Sequence, residues 1–454
     1  MTLSRRQLLQ GVGAGVSAGL VGTVVSEPAS ASSSPSSDTR RVFVHPENGL
    51  LGDLLDAVEG VGGTTLLEFD NFEFVVAEVP SNRVSDLAGA AGIAFVEDDE
   101  ETGIPDDWSP SLLDVLVPPD RSDCSTHPDQ RTSWGLERIG ADDVDPGGSD
   151  VDVGILDTGI QSDHCSLSVA GGRNFTATGT PSDYEDRHGH GTHVAGIAGA
   201  VDNDLGMVGT APDTNLYAVK VLDDDGRGRY SELVAGIDWC LSNDIELISM
   251  SLGGENESET VDDVIETATS DGHLLLTAAG NEGNAEDGSC DEETMTYPAT
   301  HDDVLAVAAM DEDDTLASYS SVGSAVDLLA PGTEITSTIT DNEYAEASGT
   351  SIACPFVTGV AALVWGISEA DGPGPNDAIR RTLTDSAEPV LETCEEGHGL
   401  VDARAAVDGD VPDADDSSSD REGEPTDRGE SRSALEWLAD AVSGLLERIR
   451  ELFG

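Results

Sequence analysis

Gly349-Thr350-Ser351-Ile352-Ala353-Cys354-Pro355 opens a run of small and apolar residues that continues to Ile367. A stretch of that length and texture reads as a buried helix. Ser351 falls where this helix begins. Gly349 lets the backbone turn sharply two residues earlier, and Pro355 is tolerated only in a first helical turn, where its missing N–H has no partner to lose. A serine there presents its hydroxyl at a helix N-terminus, where the dipole and unpaired N–H groups favour developing negative charge. Taken alone, the stretch fits a serine N-cap on a core helix equally well. The rest of the chain decides.

Around it, strand and helix patterns alternate. Residues 151–156 read as a buried strand ending in Asp157-Thr158-Gly159, and residues 190–201 as a small-residue helix. Strands follow over 215–222, 246–250, 274–279 and 304–309, with helices over 231–243 and 260–270. This repetition predicts an α/β domain over residues 130–408, a mainly parallel sheet with helices on both faces and ligands at the carboxyl ends of its strands. Before it, residues 40–100 follow a β-α-β-β-α-β order, a small ferredoxin-like α+β unit near the lower size limit for independent stability. Residues 101–129, rich in Pro and Asp, read as an exposed linker.

The 454 residues carry 90 acidic and 21 basic side chains, a formal net charge of −69, and Lys220 is the one lysine. Nucleic acid is excluded as a partner because its phosphates would be repelled. The 38% hydrophobic content and 51 glycines in strand-and-turn patterns argue for a folded, acid-coated protein rather than a disordered one. Self-repulsion at this charge implies a chain built for high salt. Arg5-Arg6, a short apolar run over 11–25 and Ala29-Ser30-Ala31 together read as a twin-arginine export signal over residues 1–31, hence a secreted protein. Six cysteines in an exported chain permit disulfides, although spacing selects none of the fifteen pairings. Residues 409–432 read as an acidic disordered linker. Residues 433–454 form an apolar stripe at helical spacing, suited to a protein partner, to the catalytic domain or to a membrane surface, which would associate the protein with the cell surface.

The chemistry-bearing residues fall at the predicted strand ends and helix starts. Asp157, His190 and Ser351 stand in the order Asp…His…Ser, one of the known orders for a triad in which serine attacks, histidine takes its proton and the carboxylate holds the imidazole. Asn281, after the buried strand that ends in Ala279-Gly280, can join the Ser351 N–H as an oxyanion donor. His188, His190 and His193 are dense enough for a metal, but HExxH spacing is absent. An esterase elbow needs G-x-S-x-G, where this chain has Ala353, and the order Ser…Asp…His.

Asp157-Thr158-Gly159, His190-Gly191-Thr192-His193-Val194-Ala195-Gly196, Ala279-Gly280-Asn281 and the Ser351 motif resemble, in order and spacing, those of the subtilisin-like serine proteases, and the whole resembles the secreted halophilic archaeal, halolysin-like members. The resemblance implies an endopeptidase acting on proteins or peptides, with Asp157, His190 and Ser351 as its triad and Asn281 as oxyanion donor. It also implies that Ser251, Leu252, Gly253, Ala279 and Gly280 bind substrate opposite Gly226, Arg227 and Gly228, the peptide lying between as an added strand. Residues 40–100 resemble the family's propeptide, a folding chaperone and inhibitor removed by self-cleavage within the 101–129 linker. A calcium loop is implied at Val201, Asn203, Leu205 and Met207 with Gln130, where Ser166 departs from the usual aspartate ligand. The alternative reading is an inactive subtilase-fold protein that binds or anchors.

Overall fold

The computed structural model describes residues 38–47, 51–104, 108–113, 120, 123–144, 148–283, 294–368, 374–391 and 393–409. The expected export signal and the C-terminal helix lie outside them, as do all but the first residue of the acidic linker.

The first sheet is built from β1 (Thr39–Pro46), β2 (Thr64–Glu68), β3 (Val75–Pro80) and β4 (Ile93–Asp98), with α1 (Leu51–Gly60) after β1 and α2 (Val84–Ala88) before β4. Its order is β2-β3-β1-β4, antiparallel throughout. Alternation along the strands gives the sheet two apolar faces. Val42, Val44, Val75 and Ala77 pack with Leu54, Val58 and Leu87 of the two helices. Phe43, Phe74 and Val76 point the other way, into a core shared with the helices of the larger domain. Polar groups fasten the same contact. Glu97 accepts from the N–H groups of Glu259 and Thr260 (3.0 Å each), and Asp238 from those of Asp70 and Asn71.

Residues 101–129 are not simply an exposed linker. They contain β5 (Glu101–Gly103) and β6 (Ser111–Leu112), both paired with the larger domain. Backbone pairing outweighs a polar composition here.

After α3 (Trp134–Arg138), the larger domain runs β7 (Asp152–Asp157), β8 (Val169–Asn174), α4 (His190–Gly199), β9 (Asn215–Lys220), β10 (Arg227–Arg229), α5 (Tyr230–Ser242), β11 (Leu247–Met250), α6 (Glu259–Ser270), β12 (Leu274–Ala278), β13 (Leu305–Met310) and β14 (Leu328–Pro331). A hairpin of β15 (Ile335–Ile339) and β16 (Glu343–Ala347) leads into α7 (Thr350–Ile367), and α8 (Asn376–Asp385) follows. Seven strands form one sheet in the order β14-β13-β12-β11-β7-β9-β8, every pair parallel. Strands buried on both faces need no polar alternation. Val153, Ile155, Leu274 and Leu276 join α4 and α7 on one side. Leu156, Ile248 and Leu275 join α5 and α6 on the other. β7 and β12 end, and α4 and α7 begin, at the same edge of the sheet.

Candidate active site

Asp157 is the last residue of β7 and is fully buried. Both of its oxygens accept from His190 Nδ1, at 2.8 and 2.9 Å. Such a contact needs the start of α4 to press against the end of β7, and glycine permits it: a Cβ on Gly191 would lie 2.2 Å from the Gly159 carbonyl oxygen. The turn before α4 is held by Asp186, whose carboxylate accepts from the N–H groups of His188, Gly189 and Thr192 and from the Thr192 hydroxyl. Asp186 escaped the sequence reading. Its signal was an acid just ahead of a helix start with a threonine in the first turn. The buried Lys220, opposite Asp157 in the sheet register, donates to the Thr158 carbonyl and pairs with Asp224 at 3.1 Å.

His190 Nε2 is buried with no hydrogen-bond partner among the described residues. It borders a cavity of about 300 Å³ that Ser351 and Asn281 also line. Asn281 Oδ1 accepts from the backbone N–H and hydroxyl of Thr350, each at 2.9 Å, which leaves its NH₂ as the free end of the amide. Gly349 keeps the gap between the two groups clear. A Cβ there would stand 3.0 Å from Ser351 Oγ and 3.4 Å from Asn281 Nδ2, on a backbone with φ of +153°.

Helix α7 begins at Thr350, so Pro355 stands in its second turn rather than its first. A proline there removes the hydrogen bond to the carbonyl four residues back. That carbonyl belongs to Ser351, and the Ser251 hydroxyl donates to it instead at 2.9 Å.

The groove residues converge beside this cavity. Arg227, Ser251, Leu252, Gly253, Ala278, Gly280, Asn281 and Ser351 line a cleft of about 660 Å³ together with Glu100–Ile104. Segment β5 lies in the cleft as a strand. It pairs with β10, Thr102 opposite Gly228. Gly103 exchanges both backbone hydrogen bonds with Gly253 at 3.0 Å, and the Ile104 N–H donates to the Gly226 carbonyl at 3.1 Å. Ala279 is held by backbone bonds to Val307 and Thr296. Beyond the cavity, the Trp108 ring stands edge-on to His190, centroids 4.6 Å apart. With the chain in the cleft, His190 is 0% and Ser351 4% exposed. Trp108 was also invisible to the sequence reading, because nothing in a Pro- and Asp-rich stretch marks which residue meets the site.

His190 and His193 of the histidine cluster each face a protein partner. His193 Nε2 faces the Ala345 carbonyl at 3.1 Å, and burial drives its pKa down to about 3. No group of three metal-ligating side chains occurs among the described residues. The calcium-loop residues do come together: backbone bridges join Asp129 to Leu205 and Arg131 to Met207, and Gln130 Nε2 donates to the Val201 carbonyl at 2.9 Å. Asn203 accepts from the Leu205 N–H and donates to the Cys165 carbonyl. Ser166 Oγ lies 2.8 Å from the Tyr344 hydroxyl and 3.3 Å from the Leu205 carbonyl. The donors fit calcium in kind, oxygens of amides and carbonyls, but none carries a charge, the neutral Ser166 included. Of the cysteines, Cys124 and Cys165 form a disulfide, while Cys240 and Cys354 are buried free thiols, the latter pushed up to about 11 by burial.

A model described as the subtilase family matches residues 148–424. Subtilisin DY of Bacillus licheniformis is 40% identical over 281 residues, 61% of this chain and 99% of its own. Subtilisin NAT of Bacillus subtilis subsp. natto is 34% identical over 355 residues, 78% of this chain and 85% of its own. A thermostable alkaline protease of Halalkalibacterium halodurans is 40% identical over 282 residues, 61% and 74% respectively.

Proposed function

The chain belongs to the subtilase family and is a subtilisin-like serine endopeptidase, and from that premise we propose how it cleaves a peptide and how it is held before it does. Ser351 Oγ attacks the scissile carbonyl while His190 Nε2 takes its proton. Asp157 accepts the Nδ1–H, which fixes the tautomer that leaves Nε2 as base and supports the imidazolium that forms. The Asn281 amide and the Ser351 N–H receive the oxyanion. An acyl-enzyme results, and water releases it with the same histidine as base. The substrate lies as a strand between Gly226-Arg227-Gly228 and Ser251-Leu252-Gly253, with Ala279-Gly280 along the side-chain pocket. Residues 40–100 act as propeptide, with self-cleavage in the 101–129 linker beyond. The precursor is exported by its twin-arginine signal and the processed enzyme works outside the cell in high salt, while the C-terminal stripe suits a protein partner, the catalytic domain or a membrane surface.

Calcium, common among subtilisins, is assigned to Gln130 and Asn203 through their side-chain oxygens and to the carbonyls of Val201, Leu205 and Met207. Turning over the Gln130 amide gives up both its bond to the Val201 carbonyl and the one its Oε1 accepts from the Asp204 N–H, in exchange for an oxygen ligand. Without a carboxylate at Ser166 the affinity falls in the weak, millimolar class.

The observation that carries this reading is the bifurcated His190–Asp157 contact, with an Nε2 that has no partner among the described residues bordering the cavity of Ser351 and Asn281. It is tested by casein hydrolysis and intact mass of wild type and Ser351→Ala in multimolar salt. Cleavage and self-shortening in the wild type alone support it. A folded wild type that stays full-length and inert would favour the anchoring alternative.

A further inference from the structure

The strand β5 fills only one side of the cleft. On the other side of Ser351 the chain makes three more contacts that the propeptide reading does not need. Trp108 stands over His190 at 4.6 Å and lies 5.6 Å from His193, edge-on to both rings. Segment β6 then adds a third strand to the β15–β16 hairpin, Ser111 opposite Glu346 and Leu112 opposite Ala345. Leu113 closes the series by packing on Met207 and Tyr344. Trp108, Ser109 and Ser111 thereby form a wall of the cavity that holds His190, Asn281 and Ser351. That cavity is where the leaving half of a substrate must sit.

This segment is also fastened from behind. The Cys124–Cys165 disulfide ties the chain, a short stretch beyond Leu113, to the loop that follows β7. The Gln130 and Arg131 N–H groups add backbone bonds to Asp204 and Gly206. Cleavage between Ile104 and Trp108 would free the propeptide side, which is held only by non-covalent contacts. It would not free residues 108–113, which remain on the catalytic domain by a covalent tether.

We propose that residues 108–113 are a second, tethered inhibitor that outlasts propeptide removal, competing with the leaving-side half of substrates until it is trimmed away or displaced. The idea rests on the protease reading above. A short tether holds its ligand at an effective concentration on the order of millimolar. A segment whose free-peptide dissociation constant is about 0.1 mM would then raise the apparent KM about tenfold and leave kcat alone.

The test uses self-processed, full-length-derived enzyme in high salt and an internally quenched peptide that spans both sides of the scissile bond. In Trp108→Ala, KM should fall about tenfold with kcat within twofold of wild type. Cys124→Ser keeps the contact but lengthens the tether, and should lower KM in the same direction by a smaller factor, which covers the case of a misfolded Trp108→Ala. Equal KM in processed wild type and both variants, with mass spectra showing residues 108–113 still attached, overturns the inference and leaves the protease reading intact. A wild type without any Ser351-dependent hydrolysis overturns both.

Discussion

Pro355 removes a backbone hydrogen bond from the second turn of α7, and Ser251 replaces it with a side-chain donor to the same carbonyl. The two residues therefore form one device for setting the position of Ser351. Ser251→Ala would strand a buried carbonyl, at a cost of about 1–3 kcal/mol, which lowers Tm by about 2–10 °C in a domain of this size and reduces kcat severalfold. Pro355→Ala in that background gives the helix its own N–H back. Calorimetry and peptide hydrolysis should show the double variant recovering most of the loss. If it recovers nothing, the Ser251 hydroxyl acts elsewhere. Asp157, His190, Asn281 and Ser351 stood out because the chemistry demands those residue types, and Asp157, His190 and Ser351 fall at a strand end or helix start, with Asn281 three residues past β12. Asp186, Ser251 and Trp108 were not. Asp186 and Ser251 bind backbone atoms, whose positions exist only in the fold, and Trp108 meets its histidines through a chain crossing that no local pattern encodes.

Among the elements, the buried parallel strands and the helices between them were readable, since apolar runs of strand length bounded by turns admit few other readings. β14, although buried and parallel, was missed, as were β8 and the β15–β16 hairpin. β8 is a half-exposed edge strand with two central glycines, and the hairpin buries Ser337 and Thr338, whose hydroxyls donate to the carbonyls of His193 and Thr192 in α4. Within β1, His45 stacks between Phe95 and Phe74 and meets the Thr260 hydroxyl at 2.7 Å, close to the Glu97 carboxylate that takes the Thr260 N–H. Burial lowers its pKa to about 4, against about 6.5 for a solvated histidine. The docked state thus favours the neutral ring. On the propeptide reading, its contribution to binding is complete above pH 6.5 and is lost as pH falls from there towards 4. Inhibition of the mature enzyme by added propeptide should weaken on the order of tenfold between pH 7.5 and 5, and His45→Phe should flatten that slope. An unchanged slope in the variant would assign the pH effect to other groups. At the 201–207 loop, Ser166→Asp supplies the missing carboxylate. Wild type should need millimolar calcium for any rise in Tm, whereas the variant should respond at concentrations at least tenfold lower. Identical titrations would mean that the loop is held by its own hydrogen bonds and takes no ion.

For the whole molecule the governing quantity is charge. With 21 basic residues against 90 acidic ones, ion pairing can neutralise only a minority of the carboxylates. Such pairs exist, as between Arg138 and both Asp314 and Glu388, but exposed pairs add little stability each. The remaining carboxylates repel one another across distances that water alone does not screen. The Debye length is about 10 Å at 0.1 M salt and about 3 Å at 1 M, so the repulsion should be strong in dilute buffer and nearly gone above molar salt. The contact between the first sheet and the larger domain responds differently, because Arg41 meets Glu232 of α5, whose side chain is 8% exposed, at 3.5 Å, and buried pairs are screened much less. Tm of the Ser351→Ala protein, which stays in one covalent form under the protease reading, should therefore climb steeply between 0.1 and 1 M sodium chloride and level off beyond. Sodium perchlorate, which screens equally but does not strengthen apolar burial, separates the two ways salt can act. If both salts raise Tm over the lower range, screening of surface carboxylates is the cause. A rise with chloride alone would shift the explanation to the hydrophobic core, and a flat response to both would remove charge repulsion as a limit on this fold.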